Sequence, residues 1–144
     1  MWFSTTGADQ KSEMQYERGT TERVGFAGFG ATLLILRPMR TSLRLPSNVE
    51  FYSCINPTDA PLVRFSLDDE ENRRDTSVGR GGPWSQEFSI SQDDLVPYTS
   101  EKTPDGYFKI NPAKPLSSGE YGFVPQGSMG YFATGERVYT FGVD

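Results

Sequence analysis

Histidine is absent from the 144 residues and cysteine occurs once, as Cys54. The first absence removes the commonest metal ligand and the usual proton shuttle near neutral pH. The second excludes an intrachain disulfide and any multi-cysteine metal site. Inside its apolar surroundings Cys54 reads as a small buried hydrophobe. Long apolar runs are lacking too: the two longest uncharged stretches, Val24 to Leu36 and Tyr121 to Gly135, have 13 and 15 residues, too short to span a bilayer, so no membrane span is expected. Met1-Trp2-Phe3 leads into polar and acidic residues rather than a basic region followed by an apolar one, and no Asn-x-Ser/Thr acceptor occurs. The expectation is a soluble protein, its compartment open. Basic charge is outnumbered, 14 Lys+Arg against 19 Asp+Glu for a net charge of −5. A chain so balanced is a poor electrostatic partner for phosphate backbones, and no nucleic acid is expected as a partner.

Residues 4–23 hold only Ala8, Met14 and Tyr16 as apolar side chains. Alone, such a segment cannot bury enough surface to offset its ordering entropy. Residues 1–23 therefore read as a polar N-terminal arm tipped by Trp2 and Phe3, lying on its own domain, a copy of the chain or another protein. Trp2, Phe3, Met14 and Tyr16 are the candidate partner-binding residues, because buried aromatics carry a disproportionate share of interface energy.

The remainder, 24–144, is rich in what the arm lacks. Thirteen of the fifteen glycines and all ten prolines lie here and punctuate short alternating segments. Val63, Phe65 and Leu67 alternate with Arg64 and Ser66; Phe88 and Ile90, Phe108 and Ile110, Tyr121 and Phe123, Tyr139 and Phe141 repeat every second residue. Thr32–Arg37 and Ser42–Leu45 flank Pro38-Met39-Arg40 as a candidate hairpin. No window after residue 31 shows a helical stripe. This spacing predicts an all-β fold, a sandwich of about seven to nine short antiparallel strands, and a chain this long can bury roughly two-thirds of its surface without staples. Phe51, Phe65, Phe88, Phe108, Phe123 and Phe141 are the candidate core.

Leu116-Ser117-Ser118-Gly119-Glu120-Tyr121 is the most specific local signal. It resembles the tyrosine corner of immunoglobulin-like sandwiches, in which the hydroxyl bonds back to the backbone just upstream. Phe123 stands where a disulfide-bearing immunoglobulin domain has its second cysteine. More widely, Pro112-Ala113-Lys114-Pro115-Leu116-Ser117-Ser118-Gly119-Glu120-Tyr121-Gly122-Phe123 with the closing Phe141-Gly142-Val143-Asp144, and the basic pair Arg73-Arg74 after an acidic turn, is similar to uncharacterised bacterial all-β domains ending in "PLxxGEYxF…FGVD". The resemblance covers Leu33–Asp144 and implies an immunoglobulin-like sandwich with no attached activity.

Motifs that carry chemistry are thin. Gly25-Phe26-Ala27-Gly28-Phe29-Gly30-Ala31 reverses the spacing of a dinucleotide loop and runs into Leu33–Leu36, which is β-like, so it reads as a glycine-rich linker; Gly79–Pro83 reads as a loop. Asp75-Thr76-Ser77 is half an aspartic-protease signature, but Arg73 and Arg74 would hold the Asp75 carboxylate ionised and exposed. Gly127-Ser128-Met129-Gly130 is no nucleophile elbow, with Gln126 before it and no histidine to serve as base. Asp68, Asp69 and Glu71 are weak Ca²⁺ candidates in a turn whose adjacent side chains diverge; metal and cofactor are otherwise not called for. Arg37, Arg40 and Arg44, the only charges between Val24 and Asn48, read as a solvated face or as partners of that acidic run. Trp84, Tyr98, Tyr107 and Tyr131, at loops or on polar faces, form a possible stacking platform for sugar. The leading expectation is a non-catalytic interaction domain, an assembly subunit docking through its N-terminal arm; the alternative is a carbohydrate-binding module around Trp84.

Overall fold

The computed structural model describes residues 1–5, 10–26, 29–81, 86–126 and 135–144. Among them are fourteen short strands and a 3-10 turn at Pro57–Asp59, with no α-helix and hence no helix long and apolar enough to cross a membrane. The expected all-β class holds, arranged as three antiparallel sheets. The first places β11 (Tyr98–Lys102), β12 (Phe108–Pro112), β6 (Glu50–Ser53), β1 (Trp2–Ser4) and β2 (Ser12–Glu13) side by side. The second orders β3 (Tyr16–Arg18), β14 (Arg137–Val143), β13 (Gly119–Phe123) and β7 (Leu62–Arg64). In the third, β4 (Thr20–Phe26), β5 (Phe29–Leu36), β9 (Arg73–Gly81) and β10 (Gln86–Phe88) follow one another, with β8 (Ser66–Asp68) also paired to β9.

Period-two alternation explains how these sheets stack. On the second sheet Tyr121, Phe123 and Phe141 join Phe51, Leu62 and Ile110 in one core cluster. Val63, Val124 and Val138 point the other way and join Leu34, Leu36, Phe65 and Val78 in another. The second sheet thus buries both faces, which a strand with apolar residues at odd and even positions allows. Two strands tie it to the third sheet. The chain passes from β3 into β4 across Gly19, and from β7 into β8 across Phe65, each time changing sheets.

Residues 1–23 are not a separate arm. They supply β1 and β2 to the first sheet, β3 to the second and most of β4 to the third, so the expected boundary at 23 falls inside a strand. Met14 is 2% exposed in the larger core and Phe3 packs against that core. A segment poor in apolar residues is ordered here by backbone pairing to sheet edges that the rest of the chain provides, which no local pattern announces.

Other expectations change for the same reason. Ser42–Leu45 does not pair with β5, whose neighbours are β4 and β9; residues 37–49 cross between sheets, and Arg44 touches the second sheet through a single bridge to Gly142. The supposed linker lies within the β4–β5 hairpin, where Gly25 and Gly30 face each other with φ of 148° and 146°, a conformation L residues rarely adopt. β9 runs through Gly79 to Gly81 instead of ending before a loop. Cys54 is exposed rather than buried. Phe51, Phe65, Phe123 and Phe141 are buried as expected, whereas Phe88 and Phe108 are only partly covered.

The tyrosine signal is realised in its key bond: the Tyr121 hydroxyl donates to the Ser117 carbonyl at 2.7 Å. Removing it takes this donor from the Ser117 carbonyl, at a typical net cost of about 1 kcal/mol. Tyr121→Phe is expected to lower the urea midpoint by that amount with an unchanged denaturant slope.

Candidate functional site

A cleft of about 710 Å³ opens between the β2–β3 stretch and the crossing segment 38–44. Phe3, Tyr16 and Leu43 give it apolar wall, and Glu17, Arg40, Thr41, Arg44, Arg74 and Thr140 give it polar floor. The alternation of β9 places Arg74 on the same face as Val78, turned into the protein, and its side chain is 0% exposed. A guanidinium there requires partners for all its donors. Nη2 and Nη1 donate to the two oxygens of Glu17 at 2.8 and 2.9 Å, Nη1 also to the Thr41 hydroxyl at 2.8 Å, and Nε to the Pro38 carbonyl at 2.8 Å. The Thr140 hydroxyl donates to Glu17 as well.

A second carboxylate lies close by. The Glu120 side chain, 4% exposed, accepts from Arg44 Nη1 at 2.7 Å and from the Thr41 backbone N–H. Arg44 then reaches Asp144 at 2.9 Å, and Arg40 reaches the same oxygen at 2.6 Å. Gly142 makes room for this: a Cβ there would overlap the Arg44 guanidinium and the Glu120 carboxylate. Burial disfavours the Arg44 cation, yet hydrogen bonds to Asp144 and Glu120 outweigh it and leave the guanidinium more basic than usual. Hydrogen bonds from Arg44 and Arg40 hold the Asp144 carboxyl below the ordinary carboxylate value. Three arginines thus face three carboxylates. Within the network, Nε of Arg44 is buried and lacks an acceptor among the described residues.

This network was not legible in advance. Arg37, Arg40 and Arg44 were expected to share a solvated face or the acidic run; only Arg37 meets that run, at 3.8 Å from Glu71. Arg73 and Arg74 were expected to keep Asp75 ionised and exposed together. They point to opposite faces: Arg73 lies 3.3 Å from Asp75, while Arg74 serves Glu17. Burial raises the Asp75 carboxyl above its ordinary value, against the pull of Arg73. One signal was available. Arg74, Thr76 and Val78 share a parity, as do Glu120, Gly122 and Val124, so an inward face carries one charged residue in each strand.

Of the expected partner-binding residues, Phe3 and Tyr16 line the cleft, Met14 lies beneath in the core, and Trp2 faces the opposite side of the first sheet. Met14 is therefore no surface anchor; its side chain is spent on the core. Tyr16 is 42% exposed, with the guanidinium carbons of Arg137 and Arg18 at 4.5 and 5.5 Å from its ring and Tyr139 edge-on at 6.2 Å. Ile55, 54% exposed, shares a second cavity with Arg18, Arg137 and Tyr139.

Of the four residues of the possible sugar platform, Tyr98 and Tyr107 are not neighbours. Trp84 and Tyr131 lie outside the described residues. Tyr98 pairs with Pro112 at one end of the β11–β12 hairpin, whereas Tyr107 sits beyond the other end, where Lys102 pairs with Phe108; that separates them by roughly 17 Å along the strands. Tyr98 also spends its hydroxyl on the Pro57 carbonyl at 2.9 Å. In the acidic turn, Asp68 accepts from the Glu71 N–H at 3.1 Å and faces Arg73 at 3.8 Å. Among the described residues no group of three potential ligands converges as a metal site, so Asp68, Asp69 and Glu71 do not form one. Comparison with protein-family models, with curated proteins and with solved structures finds no match to this chain.

Proposed function

We propose that this chain is a non-catalytic binding domain, an immunoglobulin-like sandwich that associates with copies of itself through the surface presented by its N-terminal strands. The observation carrying this reading is the exposed ring of Tyr16 at the cleft rim with two arginines against it, the same two that line a second cavity with exposed Ile55. Tyrosine and arginine dominate interface hot spots because each combines apolar area with directional donors. The ion pairs beneath support the reading from the other side. Groups engaged with two or three partners hold a shape; they are not poised to exchange protons with a substrate.

A second copy is favoured as the occupant by charge. The patch is cationic through Arg18 and Arg137, while the exposed turn Asp69-Glu70-Glu71 on the same chain is anionic. Opposite patches on one protomer make a head-to-tail contact rather than a self-complementary one. Sedimentation velocity across protomer concentration tests this. Association is expected to weaken as salt rises, and to be lost in both Arg137→Glu and Glu70→Lys, with monomer thermal stability unchanged. A chain that stays monomeric at about 0.5 mM in low salt, or an oligomer indifferent to both charge reversals, refutes it.

A further inference from the structure

The outer face of the first sheet carries a second arrangement that the association surface does not use. One row of side chains crosses all five strands in register: Glu101 on β11 opposes Lys109, which opposes Tyr52, which opposes Trp2, which opposes Glu13. Cross-strand partners share a face, and this face lies opposite the core-directed Phe3, Phe51 and Ile110. Tyr107, just before β12, reaches over the row to meet the Trp2 ring edge-on at a centroid distance of 5.6 Å. Three aromatic rings, two from the adjacent strands β1 and β6 and one from the turn leading into β12, therefore gather on one surface.

Something already sits on them. The Lys11 ammonium lies 4.3 Å from the Tyr52 ring centroid and 5.9 Å from that of Tyr107. Ring faces are attractive to cations because of their quadrupole, and clusters of two to four such rings recognise alkylated ammonium groups. The surrounding charge has the matching sign. The row holds Glu13 and Glu101, with Glu50 beside Tyr52 accepting from its hydroxyl at 3.2 Å; against these three carboxylates the row sets Lys109, 3.5 Å from Glu50. Lys11 itself is exposed and belongs to the edge of the sheet, where it can swing away without opening the core.

We propose that Trp2, Tyr52 and Tyr107 form a binding site for a small quaternary ammonium compound, closed in the free protein by Lys11 acting as an internal ligand. The ammonium of Lys11 marks where the cationic head of the ligand rests. A trimethylated head gains over lysine by being more weakly hydrated, so it gives up less water on reaching the rings, while the carboxylates supply attraction that a neutral sugar would not use.

Titration with tetramethylammonium chloride, read by amide and indole NMR shifts against sodium chloride of equal ionic strength, tests the site in the full chain. Saturable shifts at Trp2, Tyr52 and Tyr107 are expected. If Lys11 closes the site about nine-tenths of the time, Lys11→Ala strengthens binding about tenfold. Tyr52→Phe keeps the ring and retains binding; Tyr52→Leu keeps apolar volume and loses it. Choline binds like the simpler ion. No saturable response in Lys11→Ala overturns the proposal, as does equal binding by Tyr52→Leu. A response to cellobiose with none to tetramethylammonium overturns it in favour of sugar stacking, and binding to phosphatidylcholine vesicles with none to free choline overturns it in favour of a lipid surface.

Discussion

Arg74→Ala is expected to destabilise the fold by about 3 kcal/mol, read as a fall of roughly 9 °C in the thermal midpoint for a domain of this size. The side chain is fully buried and supplies two donors to Glu17, one to Thr41 and one to the Pro38 carbonyl. Its removal strands the carboxylate and creates a cavity at once. The figure sits at the low end for a broken buried pair because the Glu17 side chain remains 31% exposed and can recover some hydration. A control separates the stranded charge from the lost volume. Arg74→Met combined with Glu17→Leu removes both charges while filling space, and about half of the loss is expected to return. An Arg74→Ala chain within about 1 kcal/mol of the parent in urea unfolding would show that water, not Arg74, satisfies Glu17.

Phe141→Ala is expected to cost about 4 kcal/mol, roughly 12 °C. Phe141 is 0% exposed and lies at the middle of an aromatic group, with ring centroids at 4.9 Å from Phe51, 5.5 Å from Tyr121 and 6.5 Å from Phe123. Those rings come from three strands in two sheets, so the cavity cannot close by moving one side chain. Phe141→Leu, which keeps most of the volume, is expected to cost only about 1.5 kcal/mol. Equal losses for Ala and Leu would indicate that ring geometry rather than filled volume holds the two sheets together. The Arg74 and Phe141 variants report on different cores, the first where the second sheet meets the third, the second where it meets the first, and their combination is expected to be nearly additive.

The alternation that announced strands was reliable where one apolar phase dominated. Phe51, Phe123 and Phe141 follow it into the core, and Leu116-x-x-Gly119-x-Tyr121 forecast the bond from Tyr121 to Ser117. The candidate site was far less visible. Its strand-borne polar residues, Glu17, Arg74 and Thr140 in the floor and Glu120 bonded to Arg44, stand at inward positions, and a polar residue in a strand reads by default as facing water. The same default misplaced Met14, the lone apolar residue between β2 and β3, as a surface anchor when it fills the core.

Composition and period two sufficed to determine an all-β chain without histidine chemistry, because strand pleating writes itself into every second residue. Only the tertiary structure decided which strands are neighbours, since antiparallel pairing across dozens of residues leaves no local trace. It recruited residues 1–23 into all three sheets, turned Arg74 inward and Arg73 outward, and set Trp2 beside Tyr52 and Tyr107 beneath Lys11. Backbone pairing and the neutralisation of buried charge are long-range bargains, struck between segments that are strangers in sequence.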